Sequence, residues 1–274
     1  MTQADEWSDE TGPWPPPRHL GWRGPAKRWL IRIAGTGGSA RDPEDGIAVL
    51  AYHATAADRR HPWWTDFAGQ MSLLEDLGYE IVPLAEAVQR LRTGRLGNRP
   101  AAAITFDDGW ANNLDVAFPE LSRRRWPASV FIPTSYVGRR PFLREDEVRR
   151  LADFGVSAEL HTDSHADLTT IDEPAILDEL ARCRDRLTHL TGRPPRFLCY
   201  PFGRVDQRVR DVVARSGVEA ACTARVGRNR PGEDLWLLRR ISVDSRDRSY
   251  DLRVALAGGT ARIAALKRLV GGGR

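Results

Sequence analysis

The sequence predicts an α/β fold: a barrel of about seven strand-and-helix units with mostly parallel strands, an irregular leader before it and a helix after it. Three observations carry this. Short apolar runs alternate with amphipathic stretches from residue 47 to residue 243, and strands that alternate with helices imply a parallel sheet, which at seven units closes better than it stays open. The chemistry-bearing residues His53, Asp107, Asp108 and His161 all stand where a strand-like run ends. The chain is also large enough for one such domain, with 274 residues of which 41% are apolar.

Residues 1–45 hold Trp14-Pro15-Pro16-Pro17 and Gly35-Thr36-Gly37-Gly38-Ser39 and read as a Pro/Gly-rich leader. The glycine stretch lacks the lysine and spacing of a phosphate-binding loop. The domain proper, 46–247, opens with strand Ile47 to His53, and Thr65 is placed to cap a helix from Asp66 to Leu77 that Gly78 stops. Tyr79 to Val82 is a short strand, Leu84 to Arg92 a helix, and Ala101 to Phe106 a buried strand. Ala111 to Arg124 suits a helix, Ala128 to Ile132 a strand, Glu145 to Phe154 a helix and Val156 to Leu160 a strand. A long helix from Glu173 to Leu190 ends before Gly192, and strand Phe197 to Tyr200 runs into Pro201-Phe202-Gly203. Helix Gln207 to Ser216 and strands Glu219 to Thr223 and Ile241 to Val243 complete the series. The tail, 248–274, carries a basic amphipathic helix, Asp251 to Val270, interrupted at Gly258-Gly259. Its Leu252, Ala255 and Leu256 are expected to pack on the barrel, with peripheral membrane contact the sharper alternative.

Composition narrows the classes. The formal charge of +4 is carried largely by arginine spread along the chain, without a recognition motif for nucleic acid. Cys183, Cys199 and Cys222 are too few and too widely spaced for a disulfide framework or a cysteine metal site. No segment is apolar for long enough to span a bilayer, and the acidic, proline-rich start lacks the basic opening and apolar stretch of a secretory signal, so a cytoplasmic location is expected.

The centre of the chain is Thr105-Phe106-Asp107-Asp108-Gly109. Neighbouring aspartates on an extended chain start on opposite sides, and a turn permitted by Gly109 is needed for both to address one point. A division of labour is then available, one carboxylate binding a cation and the other moving a proton. The second stretch is His161-Thr162-Asp163-Ser164-His165. Its two imidazoles, four apart, fall on one face if the chain turns helically after the strand. Two histidines and one carboxylate make a facial set that leaves sites open for water and substrate, suited to Zn2+, with Co2+, Ni2+ or Fe2+ compatible.

In order, Tyr52-His53, the Asp-Asp-Gly stretch, the H-x-x-x-H stretch, Tyr200-Pro201-Phe202-Gly203 and Leu238-Arg239-Arg240-Ile241 closely resemble the polysaccharide deacetylase family, carbohydrate esterase family four, with its NodB-like domain. The resemblance covers roughly residues 46 to 245. It implies a distorted (β/α)7 barrel and metal-dependent removal of acetyl from N-acetylated sugars. Residue by residue, it implies Asp108, His161 and His165 as metal ligands and Asp107 as catalytic base. The turn of Tyr200, Pro201 and Phe202 would meet the substrate, with a backbone N–H near Phe202 facing the oxyanion. No histidine follows His189 to supply the acid that well-known members carry near the C-terminus. In the circularly permuted branch represented by poly-N-acetylglucosamine deacetylases a histidine after tyrosine on the first strand takes that role, and His53 matches it. The arginine usual two positions before the motif's proline is Cys199 here, which leaves Arg240, by family position, as the candidate that orients the base.

The expected function is hydrolysis of an acetamido sugar in a glycan, a lipid-linked intermediate or a small glycosylated substrate. Rival readings are a hydrolase of another amide or imide bond on the same fold, or a non-catalytic glycan-binding or membrane-peripheral module. Asp163 is expected to be solvated or to support the site from behind.

Overall fold

The computed structural model describes residues 46–61, 63–245 and 247–258. The predicted leader, 1–45, and the distal part of the C-terminal helix lie outside the described residues.

Eight parallel strands form one sheet: β1 (Ala48–Tyr52), β2 (Glu80–Ile81), β3 (Ala101–Phe106), β4 (Ala128–Ile132), β5 (Val156–Leu160), β6 (Phe197–Cys199), β7 (Ala220–Val226) and β8 (Leu238–Ser242). Their order is β1-β8-β7-β6-β5-β4-β3-β2, and β1 also pairs with β3, so seven strands close a ring. The closure is uneven, which is the distortion the family resemblance implies. On the side of β3 away from β1, β2 pairs with Ala101 and Ala102 while β4 pairs only with Thr105 and Phe106. The short β2 therefore fills the gap where β3 and β4 part at the N-terminal end.

Side chains alternate between two apolar clusters. Ala48, Leu50, Tyr52, Ala102, Ile104 and Phe106 face the outer helices, α1 (Phe67–Asp76) and α3 (Ala117–Arg124) among them. Ile47, Val49, Ala101, Ala103, Phe131, Phe197 and Cys222 fill the inside together with Leu84, Ala87, Val88 and Leu91 of α2 (Leu84–Thr93). That amphipathic face of α2 plugs the barrel's N-terminal end, and the opposite end is left for chemistry. Continuing the alternation from Ala101 and Ala103 places Asp107 inside the mouth of the barrel, where it is buried.

The remaining helices are α4 (Glu145–Arg149), α5 (Glu173–Thr191), α6 (Gln207–Arg215) and α7 (Ser249–Leu256). On α7, Leu252, Ala255 and Leu256 join the outer core, so the described part of the C-terminal helix packs on the barrel as predicted. The predicted helix over 111–124 is in fact a 3-10 turn, Ala111–Leu114, followed by α3. Pro119 explains the break, since proline is accommodated in the first turn of a helix but not in its middle. The predicted helix over 145–154 likewise ends at Arg149 and continues as a 3-10 turn, Leu151–Phe154. The last strand runs from Leu238, three residues before the predicted start, because Arg239-Arg240 conceals a strand whose second arginine points inward.

Glu159 of β5 is a buried carboxylate that accepts from the backbone N–H groups of Arg196 (2.7 Å) and Phe197 (3.0 Å), tying β5 to the start of β6. Burial raises its pKa above the ordinary glutamate value, outweighing those hydrogen bonds. A carboxyl with a raised native pKa favours the fold when protonated, and that advantage is lost as pH rises through the native value. Glu159→Gln keeps an acceptor for both N–H groups without the buried charge. Its stability relative to the parent is therefore expected to improve between pH 5 and pH 8, measured by urea unfolding at each pH. An advantage that shrank as pH rose would contradict the raised pKa.

Candidate active site

Strand register gathers the site. Tyr52 pairs with Phe106, and the Asp107 N–H donates to the Tyr52 carbonyl (2.9 Å), so His53 and Asp107 leave adjacent strands side by side. His53 Nε2 lies 3.8 Å from Asp107 Oδ2. The His53 carbonyl accepts from Asn113 Nδ2 (3.0 Å), and Asn113 Oδ1 in turn accepts from the Thr55 hydroxyl (2.8 Å), which fixes the loop that carries the imidazole.

The two aspartates diverge through backbone conformation. Asp108 has φ 70° and Gly109 φ 70°, so the turn begins at Asp108 itself, one residue before the glycine from which it was predicted. Thr162, His165 and Phe202 are also left-handed, at 64°, 61° and 58°. Four of the five non-glycine residues with positive φ among the described residues therefore surround this mouth. Each costs about 1–2 kcal/mol of backbone strain, which surrounding contacts must offset. His161 and His165 consequently do not meet across a helical turn, as the spacing suggested, but across a strained loop.

In that loop His161 Nε2 lies 3.4 Å and His165 Nε2 3.5 Å from Asp108 Oδ1. These separations exceed an ordinary hydrogen bond. They agree with donors roughly 2.0–2.1 Å from a shared tetrahedral ion, which lie about 3.3–3.4 Å apart. The Nδ1 of His161 is 2.7 Å from the Cys199 carbonyl, which can only accept, so Nδ1 carries a proton and Nε2 is the ring nitrogen left facing Asp108. The donor set thus fits a divalent ion. Asp108 Oδ2 accepts from Trp110 Nε1 (3.2 Å). Burial alone would push the Asp108 carboxyl up, but the imidazoles of His161, His53 and His165 outweigh it and hold it below the ordinary range.

Asp107, His161 and Cys199 also bring ligand atoms within 4.8 Å of one another. Asp107 is committed elsewhere, however. Arg240 of β8 clamps it in a two-pronged pair, Nη1 to Oδ1 at 2.7 Å and Nη2 to Oδ2 at 2.8 Å, with both side chains 5% exposed. Arg240 Nε donates to the Thr223 carbonyl (3.0 Å), and Nη2 lies 3.1 Å from Cys199 Sγ. A small side chain at 199 leaves room for a guanidinium arriving from β8. Burial works to raise the Asp107 pKa, but Arg240, with His53 and His161, brings it below the ordinary value, so the carboxylate is ionised.

The predicted substrate-facing turn divides. Phe202 is exposed and stands edge-on to the His165 ring at 4.6 Å between centroids. Tyr200 is fully buried, with its hydroxyl donating to the Trp236 carbonyl (3.1 Å), and Pro201 is buried as well. Their side chains support the turn from beneath, and of the three Phe202 alone is exposed at the mouth. Gly203 is required at this turn, because a Cβ there would sit 2.2 Å from Ala224 Cβ. Sequence reasoning also missed Trp110, Asn113 and Glu179. Only Glu179 left a usable signal, an acidic residue within the apolar stripe Ile176, Leu180, Cys183, Leu187 of α5.

The family model for polysaccharide deacetylase matches residues 95–221, which span both the Asp-Asp-Gly and the H-x-x-x-H stretches. Residues 95–221 of this chain are a polysaccharide deacetylase domain. The chain is 25% identical over 199 residues to a putative polysaccharide deacetylase of Bacillus subtilis, YxkH, covering 72% of this chain and 71% of that protein. It is 24% identical over 169 residues to the poly-β-1,6-N-acetyl-D-glucosamine N-deacetylase of Staphylococcus aureus, covering 57% of this chain and 58% of the relative. The chain therefore spans less than two thirds of the staphylococcal protein. Its fold matches the Streptococcus pyogenes deacetylase PplD, solved in complex with acetate, with a TM-score of 0.71 at 22% identity over 77% of this chain and 97% of that one. Among the described residues no helix is long and apolar enough to cross a membrane.

Proposed function

We propose that this deacetylase hydrolyses the acetamide of an N-acetylated sugar within a glycan, with Asp108, His161 and His165 holding Zn2+. The observation that carries the reading is the pairing of the Asp108, His161 and His165 cluster with an arginine-clamped Asp107 beside His53. A glycan-binding module has no need of the second carboxylate. The staphylococcal relative's name supports poly-N-acetylglucosamine as the first substrate to try.

Asp108, His161 and His165 would hold the ion, which would supply Lewis acidity to make water nucleophilic near neutral pH and to polarise a carbonyl. Asp107 accepts the proton that water gives up as its oxygen bonds the acetamide carbon. Arg240 keeps that carboxylate ionised and fixes its plane. Breakage of the C–N bond then requires a proton on nitrogen, which His53 delivers from Nε2, leaving acetate and a free amine. Phe202, exposed beside His165, provides an apolar wall at the mouth.

The test is acetate release from free, nucleotide-linked and polymeric N-acetylated sugars by zinc-loaded protein, with and without chelator. His53→Ala is expected to retain bound zinc while turnover falls by roughly 10²- to 10⁴-fold, the usual contribution of a general acid. Full turnover by that variant would remove His53 from the mechanism. A competent panel yielding no acetate would remove the deacetylase reading itself.

A further inference from the structure

The loop that carries both imidazoles is strained and short, and its backbone N–H groups at 163 and 164 have no sheet or helix partner. All of them, with one hydroxyl, converge on a single side chain. Glu179 of α5, buried, accepts from Asp163 N (2.9 Å) and Ser164 N (2.8 Å) through Oε2 and from Ser164 Oγ (2.7 Å) through Oε1. One turn further along α5, Arg182 bridges Glu179 Oε1 (Nη2, 3.1 Å) and Asp163 Oδ2 (Nε, 3.1 Å). The other oxygen of Asp163 accepts from the Thr134 hydroxyl (2.5 Å), and its carbonyl accepts from Ser135 N (2.9 Å). Asp163 is thus a strut behind the site and takes no place among the ligands.

We infer that Glu179 is a positioning residue for the metal-ligating loop: it holds Thr162 and His165 in their left-handed conformations, so that both imidazoles face Asp108 before an ion arrives. The inference rests on the reading that Asp108, His161 and His165 bind the ion. Thr162 and His165 are strained by their left-handed backbone, and hydrogen bonds to a carboxylate are stronger than those between neutral groups. Three such bonds from Asp163 and Ser164, between the two histidines, oppose that strain. Without them the loop relaxes, and metal binding must bear the cost of ordering it again. A carboxylate serves here because all three loop donors and a guanidinium point at it, and only an acceptor with four lone-pair sites satisfies them together.

The experiment measures zinc affinity by competition with a chromophoric chelator on the full chain, together with the visible spectrum of the cobalt-substituted protein, for the parent, Glu179→Ala and Glu179→Gln. Glu179→Ala is expected to bind zinc roughly 10- to 100-fold more weakly, as when groups supporting metal ligands are removed, and to show an altered cobalt spectrum. Glu179→Gln, which keeps one acceptor oxygen, should fall between parent and alanine variant. A purely structural role would lower the unfolding midpoint and leave zinc affinity and the cobalt spectrum of the folded protein unchanged, and that result overturns the inference. Should Glu179→Ala fail to fold, Glu179→Gln decides, and affinity equal to the parent's would count against Glu179. His161→Ala run in parallel separates the two layers. If it binds zinc as the parent does, the ligand reading fails; if it does not, and the Glu179 variants match the parent, only the positioning role fails.

Discussion

His161→Ala, and separately Asp108→Asn, is expected to yield a folded barrel that retains no stoichiometric metal and releases no acetate above the chelator-treated background. Both residues are structurally replaceable in part. Asparagine tolerates the left-handed conformation that Asp108 adopts and keeps an oxygen for Trp110 Nε1, so Asp108→Asn removes the anionic donor and little else. Loss of His161 also removes the hydrogen bond to the Cys199 carbonyl, and some stability goes with it, but the outer core of β5 and α5 is untouched. What neither variant keeps is the full set of two imidazoles and one carboxylate, and the donors that remain must compete with water for the ion. Elemental analysis after dialysis, alongside the acetate assay, checks this. One equivalent of ion in either variant would show that the ligands lie elsewhere.

The sequence exposed the two ends of this site and concealed its supports. Asp107, Asp108, His161 and His165 were legible because each pair follows a short run that reads as a strand, so these polar residues sit where a strand ends. The way the imidazoles meet was not legible. Spacing of four suggests a helical turn, whereas the strained loop depends on Glu179, which lies sixteen residues from Asp163 and is recognisable only as an acid out of place on an apolar helix face. Arg240 was reachable through family position alone, since two arginines in succession read as a loop and the register that turns the second one inward comes from β7 and its irregular pairing with β8. Tyr200 shows the converse: a motif residue beside the exposed Phe202 belongs to the core, because a three-residue 3-10 turn sends neighbouring side chains in different directions.

The buried pair of Asp107 and Arg240 makes the strongest demand on both stability and rate. Asp107→Asn should keep its ion and lose roughly 10²- to 10⁴-fold in turnover, because an amide cannot accept the proton of the attacking water. It should also be destabilised, since it leaves a buried guanidinium without its counter-charge; breaking such pairs costs about 3–5 kcal/mol. Arg240→Met removes the other half. In the parent, the lowered Asp107 pKa contributes stability that is present above the unfolded carboxyl value near 3.9 and is lost as pH falls through the native value. Without Arg240, burial is no longer outweighed, so the native pKa rises and the carboxyl protonates at higher pH. The acid limb of kcat/KM is therefore expected to move to higher pH in Arg240→Met. The double variant should be more stable than the sum of the single losses, because the partner that each single change strands in the interior is gone. A pH–rate profile with an unmoved acid limb, or strictly additive unfolding free energies, would mean that the guanidinium does not govern the base, and some other group would then have to keep a carboxylate ionised inside the barrel.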